Sequence, residues 1–135
     1  SGETTYLGGN VYNSAGTGQT KAQFVRPGKS TTFYIMIQND GSAIDSFAVK
    51  GDGSSTGFAV TYYLGTSGST DITTAVTAGS YTVGNLAPAA SQIIRAVVTA
   101  ARGTAVGTVK DSLVTSASAA DTSKRDAVKA RVTVK

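Results

Sequence analysis

An all-β fold, an antiparallel β-sandwich of seven to nine strands, is what this sequence of 135 residues predicts. Three observations carry the expectation. Several segments alternate apolar and polar residues with period two, as strands with one face in a core must. Turn-forming Gly, Pro, Asn and Asp interrupt them at intervals of about ten residues, the spacing of a sandwich. Ser and Thr supply 15 and 20 residues and Gly 16, whereas Glu3 and Met36 are alone of their kinds and Trp is absent. Thr and Val suit a pleated surface and Gly and Ser the turns, while runs of strong helix formers are missing. The length is that of one domain able to bury a core.

The elements follow in order. Residues 1–19 form a Gly-, Asn- and Thr-rich leader, interrupted by two apolar pairs, Tyr6-Leu7 and Val11-Tyr12. A pure linker would not need those pairs, so they require burial on this subunit or on a neighbour. Residues 20–135 form the sandwich. A first strand, Thr20 to Val25, ends at Arg26-Pro27-Gly28. Thr31 to Gln38 alternates, with Phe33, Ile35 and Ile37 on one face and Tyr34 and Met36 on the other. Asn39-Asp40-Gly41-Ser42 turns the chain into a strand from Asp45 to Lys50 that buries Phe47 and Val49. Phe58 to Leu64 directs Phe58, Val60, Tyr62 and Leu64 inward and leaves Tyr63 outward.

Ile72 to Val76 and Tyr81 to Val83 read as short edge strands. Gln92 to Thr99 sets Ile94, Ala96 and Val98 against Ile93, Arg95 and Val97. Thr108 to Thr115 follows, where simple alternation places Asp111 on a buried face with Val109 and Leu113. Such a carboxylate needs either a bulge to re-aim it or a basic partner. Ser116 to Ala120 reads as the loop before the final strand, Ala127 to Val134, whose Val128, Ala130, Val132 and Val134 face inward.

Several chemistries are excluded by composition. The sequence contains no Cys and no His, so Ser-His-Asp and Cys-His catalysis and the usual zinc sites have no ligands or bases. Eight acidic residues remain, but Asp40, Asp52, Asp71 and Asp121 fall in turns, where Asp caps local amides. The protein is therefore expected not to be an enzyme and to need no cofactor. A calcium site is the one cofactor reading with candidate ligands: Asp40, Asp45 and Asp52 lie in or beside successive loops, although turn capping explains the same residues. The net charge of +4 is spread along the chain without basic clusters or interleaved aromatics, so no nucleic-acid partner is expected. No apolar run approaches a membrane span. A chain beginning at Ser1 fits a secreted protein whose signal peptide has been removed.

The order of an alternating strand, Asn39-Asp40-Gly41, Asp45 and Phe47, then Leu86-Ala87-Pro88 before a Val/Ile strand, then Thr115-Ser116 ahead of Asp126 and Val128, resembles the bacterial extracellular immunoglobulin-like repeats of the CARDB and related surface-protein classes. The leader from Tyr6 to Asn13 is similar to the start of such repeats. The resemblance implies an immunoglobulin-like sandwich in an extracellular setting and carries over no catalytic residue. A leucine-proline-glycine segment belongs to the pattern, and Ala89 stands where its glycine would be expected.

Assembly is the function this reading favours. Ile93 and Val97 add apolar surface opposite the core face, as do Tyr34 and Met36. An extended leader could add to a neighbour's open sheet edge, inserting Tyr6, Leu7, Val11 and Tyr12. Repeated head to tail, that contact builds a filament or pilus-like fibre whose partner is the protein itself. The alternatives are a leader folded back on its own sandwich and a monomeric adhesion, glycan-binding or spacer module.

Overall fold

A computed structural model of the protein describes residues 20–39, 41–121 and 125–135. Eight strands and one short helix run in the order β1 (Thr20–Val25), β2 (Ser30–Gln38), β3 (Asp45–Gly51), β4 (Phe58–Leu64), α1 (Thr73–Ala78), β5 (Tyr81–Leu86), β6 (Ser91–Ala100), β7 (Val109–Ser118) and β8 (Arg125–Val134). They form two sheets, a five-stranded one ordered β1-β8-β7-β3-β5 and a three-stranded one ordered β2-β6-β4. All pairings are antiparallel except β1 with β8. This is the expected β-sandwich.

The core lies between the sheets and is built from the alternating faces. Phe33, Ile35 and Ile37 of β2 meet Ile94, Ala96 and Val98 of β6, with Val60 and Tyr62 of β4 beside them. The five-stranded sheet contributes Val49, Val114, Val128, Ala130, Val132 and Val134. Each large side chain buried there contributes about 1.5–3 kcal/mol relative to exposure. Tyr62 carries its hydroxyl into this interior and donates to the Asp52 carbonyl at 2.6 Å, so its polar tip is satisfied. Burial, with the Asp52 charge secondary, raises the Tyr62 pKa and keeps the phenol neutral. Gly51 makes room for it: a Cβ there would lie 2.5 Å from the Tyr62 oxygen.

Three sequence expectations are corrected. The edge strand expected over Ile72 to Val76 is instead the approach to, and first turns of, α1. The Asp71 carboxylate accepts from the Thr73 N–H at 2.9 Å and its hydroxyl at 2.6 Å, and these bonds, hydroxyl first, hold its carboxyl below the usual range. Ile72 and Val76, four residues apart, both bury, and Gly79 closes the helix at φ 76°. Apolar residues four apart are a helical signal that a period-two reading splits into strand ends.

The second correction concerns Ser116 to Ala120, expected as a loop. β7 continues through Ser118, where Phe47 pairs with it.

The third is the phase of β7. Its inner face is Lys110, Ser112, Val114 and Ser118, while Val109 and Asp111 are exposed. Asp111 finds the basic partner rather than a bulge: Arg131, opposite it on β8, donates to both carboxylate oxygens at 2.7 and 2.9 Å. That bidentate contact lowers the Asp111 pKa.

Candidate assembly surfaces

The hairpin geometry sorts the loops to two ends of the sandwich. β1 and β8 finish, and β2 and β7 start, at one end; β2 and β7 finish, and β3 and β8 start, at the other. The first end carries Arg26 and Lys29 in the β1–β2 turn, Arg102 after β6, and Lys135 after β8, all exposed. Among the described residues, two side-chain carboxylates also belong to this half of the sandwich, Asp111, which Arg131 holds, and Asp52 in the loop between β3 and β4. Arg102 lies over the turn, its stem 3.0 Å from where a Cβ of Gly28 would sit, and Gly28 adopts φ 80° there. Lys135 Nζ stands 4.8 Å from the Phe24 ring, a cation–π contact.

Among the described residues, three carboxylates gather at the opposite end. Asp45, Asp121 and Asp126 line a groove of about 210 Å³ there, with Met36, Ile37 and Phe47 among its walls; Arg125 lies beside them. Asp45 is fixed by three donors: the Ser46 N–H at 2.7 Å, the Ala120 N–H at 3.1 Å and the Ser118 hydroxyl. Asn39 closes the inner wall, donating to the carbonyls of Ala43 and Leu86 at 2.8 Å each and accepting from the Gly41 N–H. The Asn-Gly turn seen in the sequence is thus a buried bracket between β2, β3 and β5. Ala89, expected to be glycine in the resembling repeats, sits here at φ 66° with its N–H on the Asn39 carbonyl at 2.8 Å.

Of the candidate calcium ligands, the two described ones, Asp45 and Asp52, are not brought together. Asp45 and Asp52 flank opposite ends of β3, and Asp52 caps the Leu113 N–H at 2.9 Å. Asp40 lies outside the described residues. No group of three acidic side chains among the described residues could hold a metal ion.

The expected assembly residues divide similarly. Tyr6, Leu7, Val11 and Tyr12 lie outside the described residues. Ile93 and Val97 are half-buried on the outer face of the three-stranded sheet, in the central strand. There the pairing aligns Met36 with Ile93, and Tyr34 and Tyr63 on either side of Arg95. The Arg95 guanidinium stacks 5.0 Å from the Tyr63 ring and donates to the Gly65 and Gly68 carbonyls. The exposed surface that sequence reasoning missed lies at the ends: Phe24, Ile44, Val106 and Val109 are 64%, 65%, 73% and 51% exposed. Phe24 and Val109 flank Thr133 in register, a pairing across three strands that local alternation does not encode.

No helix in the described residues is long and apolar enough to cross a membrane. The sequence matches no protein-family model and no curated protein. Among solved structures it is similar to a family 123 glycoside hydrolase from Clostridium perfringens, studied for glycolipid glycan hydrolysis, with TM-score 0.54 and 11% identity over 87% of this chain and 23% of that one. It is also similar to the secreted serine protease VesC from Vibrio cholerae, with TM-score 0.50 and 18% identity over 86% of this chain and 22% of that one. The chain thus spans less than a quarter of either protein, and at these identities the likeness is one of fold.

Proposed function

We propose that the protein is a non-catalytic, extracellular structural subunit that builds a fibre by adding residues 1–19 of one copy to the β2 edge of the next. The observation that carries this reading is the position of β2. It forms an edge of the three-stranded sheet, and its far end opens on the groove lined by Met36, Ile37 and Phe47. A sheet edge offers backbone hydrogen bonds and an adjoining groove offers seats for side chains, the two parts of strand addition. Reach and direction agree. Nineteen extended residues span about 60 Å, nearly twice the roughly 33 Å of a ten-residue strand. Thr20 is level with Lys129, midway along β8, and a leader continuing from it past the start of β8 reaches a neighbour stacked on that end and runs antiparallel to the neighbour's β2. Tyr6-Leu7 and Val11-Tyr12 supply apolar side chains for its groove.

Negative-stain microscopy of the full chain beside a version lacking residues 1–19 tests the reading. Fibres from the full chain that vanish in the shortened one are expected. Dispersed particles in both would sink it.

A monomeric adhesion or spacer module is the second reading. Its support is the outer face of the three-stranded sheet, where Tyr34, Tyr63 and Arg95 form one row between Met36-Ile93 and Val97, a surface suited to a sugar ring. The two similar structures, in which such a sandwich is a fraction of a longer chain, also favour it. Glycan binding by a monomer, lost in Tyr63→Ala, would select this reading over the fibre.

A further inference from the structure

The loop from Ala101 to Thr108 contains no acidic residue and closes in a hydrogen-bonded turn. The Thr108 N–H and hydroxyl both donate to the Ala105 carbonyl, at 3.2 and 2.7 Å, and Gly107 takes φ 91° at the third position of that turn. Val106 is therefore held at the apex, 73% exposed. The apex is tied to the strands beneath it. The Gly107 N–H donates to the Val134 carbonyl at 2.7 Å, and the Lys135 N–H to the Val25 carbonyl at 2.8 Å. The Thr104 hydroxyl donates to the Gly57 carbonyl at 3.0 Å, and the Gly28 N–H to the Ala100 carbonyl at 2.8 Å. Phe24 and Val109, both exposed, flank Thr133 one residue in from Val134. Arg26, Lys29, Arg102 and Lys135 belong to the same tip. The side-chain carboxylates described in this half are set back from it. Asp111 is paired with Arg131 and lies two residues in from Val109, about 7 Å along β7. Asp52 accepts from the Leu113 N–H, four residues in, about 13 Å. A terminal carboxylate on Lys135 would offset one cation, and the tip stays positive.

We propose that this tip is a peripheral docking site for an anionic lipid surface, with Val106 entering the interface while Arg26, Lys29, Arg102 and Lys135 lie against the headgroup phosphates. A projecting apex suits lipid, which closes around it, whereas a protein partner must present a matching pocket. The turn is already fixed by backbone bonds, so little ordering cost opposes the burial of its side chain. The long cationic side chains keep their charges among phosphates while their stems cover apolar surface. Lys135 over Phe24 gains from the lower water content there, because a cation–π contact strengthens when desolvated. One apolar side chain holds a membrane weakly, and each cation near an anionic surface adds about fivefold in affinity, so the two kinds of residue act together. The contact would fix a single module, or the subunit at the exposed end of a fibre, to a membrane without spanning it. It uses neither residues 1–19 nor the β2 edge, so its failure leaves strand addition untouched.

The test is flotation of the full chain with vesicles of phosphatidylglycerol mixed into phosphatidylcholine. The wild type should float with these vesicles and not with pure phosphatidylcholine. Val106→Asp should lower binding at least about tenfold, and Arg26→Gln with Lys29→Gln about twentyfold, with thermal melts close to wild type because the altered side chains are exposed. Raising salt from about 0.05 to 0.5 M should release the protein, since the screening length shortens severalfold. The chain has no Trp, so a single one reports its own surroundings. Emission from Val106→Trp should shift to the blue on the mixed vesicles and be quenched by brominated lipid. Ile44→Trp, at the opposite end and 65% exposed in the wild type, should show neither change. Equal binding to neutral vesicles would overturn the proposal, as would flotation that survives both Val106→Asp and the double charge variant. A Val106→Trp that floats with unshifted emission would place the contact elsewhere and overturn it too. An acidic polysaccharide bound by the wild type, with no binding to either vesicle, would replace the membrane by a soluble polyanion and overturn lipid docking.

Discussion

β6 and β7 are both ten-residue strands with strand neighbours on either side, yet their inner faces are made of different chemistry. β6 sends in Ile94, Ala96, Val98 and Ala100, all fully buried. β7 sends in Lys110, Ser112, Val114 and Ser118, and only Val114 belongs to the apolar core. The polar residues on β7 are mostly satisfied. Lys110 Nζ donates to the Ser55 hydroxyl at 2.9 Å, and Ser118 bonds Asp45. Ser112 is the exception, a buried hydroxyl with no hydrogen-bond partner among the described residues. β6 holds the sandwich by burial; β7 holds it by side-chain bonds toward its two ends, where the sheets open to the loops. A strand's period is thus a local property, but its phase is set by what lies across the core.

Substitutions that exchange these chemistries test the contrast. Val98→Ser places a hydroxyl and a cavity in the β6 face and should cost about 3–4 kcal/mol in denaturant unfolding; a loss below about 1 kcal/mol would mean that the β6 face tolerates polarity as β7 does. Asp45→Ala strips the partner from Ser118 and two backbone amides, and a loss of about 2–3 kcal/mol is expected, because bonds to a charged acceptor are the stronger kind. At Ala89 the backbone is already in the left-handed region, where a Cβ is strained. Ala89→Gly should stabilise by about 1 kcal/mol, the relief of strain exceeding the added flexibility of the unfolded chain. An unchanged or lowered melting temperature would contradict that account.

Ser112→Ala removes an unsatisfied hydroxyl and should leave stability unchanged or raise it by up to about 1 kcal/mol, the opposite sign from Val98→Ser. Asp111→Asn has the smallest expected effect, a fall in melting temperature of about 2 °C or less at pH 7, since the pair with Arg131 is exposed. The sign with pH is fixed by the depressed Asp111 pKa. The stabilisation is complete above the unfolded-state value near 3.9 and disappears as pH falls through the lower folded-state value. The difference between wild type and variant should therefore close in acid, and a difference that grows there would refute the pairing.

Much of the fold was legible because strand period is written locally. β2, β4, β6 and β8 read correctly, down to which residues face inward, since their apolar faces are uninterrupted. Ile72 and Val76 are ambiguous in sequence because two apolar residues four apart fit a strand's ends as well as a helix's face, and Asp71 and Gly79 decide between them. Simple alternation sets β7 one residue out of phase because Val109 and Leu113 are its more obvious apolar residues, and only the pairing with β8 at Arg131 and with β3 at Phe47 turns them outward. The leader's apolar pairs and the outer-face Ile93 and Val97 were visible in sequence, whereas the exposed ends were not.

The sequence by itself determined that the chain is a β-sandwich, where most turns fall, and which side chains build the larger part of the core. It could do so because alternation and turn chemistry act over a few residues. The tertiary structure decided the phase of β7, the place of Ala89 in a strained corner, and the gathering of Arg26, Lys29, Arg102 and Lys135 at one end and Asp45, Asp121 and Asp126 at the other. Those residues are scattered along the chain. Only the up-and-down path of the strands, a long-range property, determines which loops share an end and so which charges add.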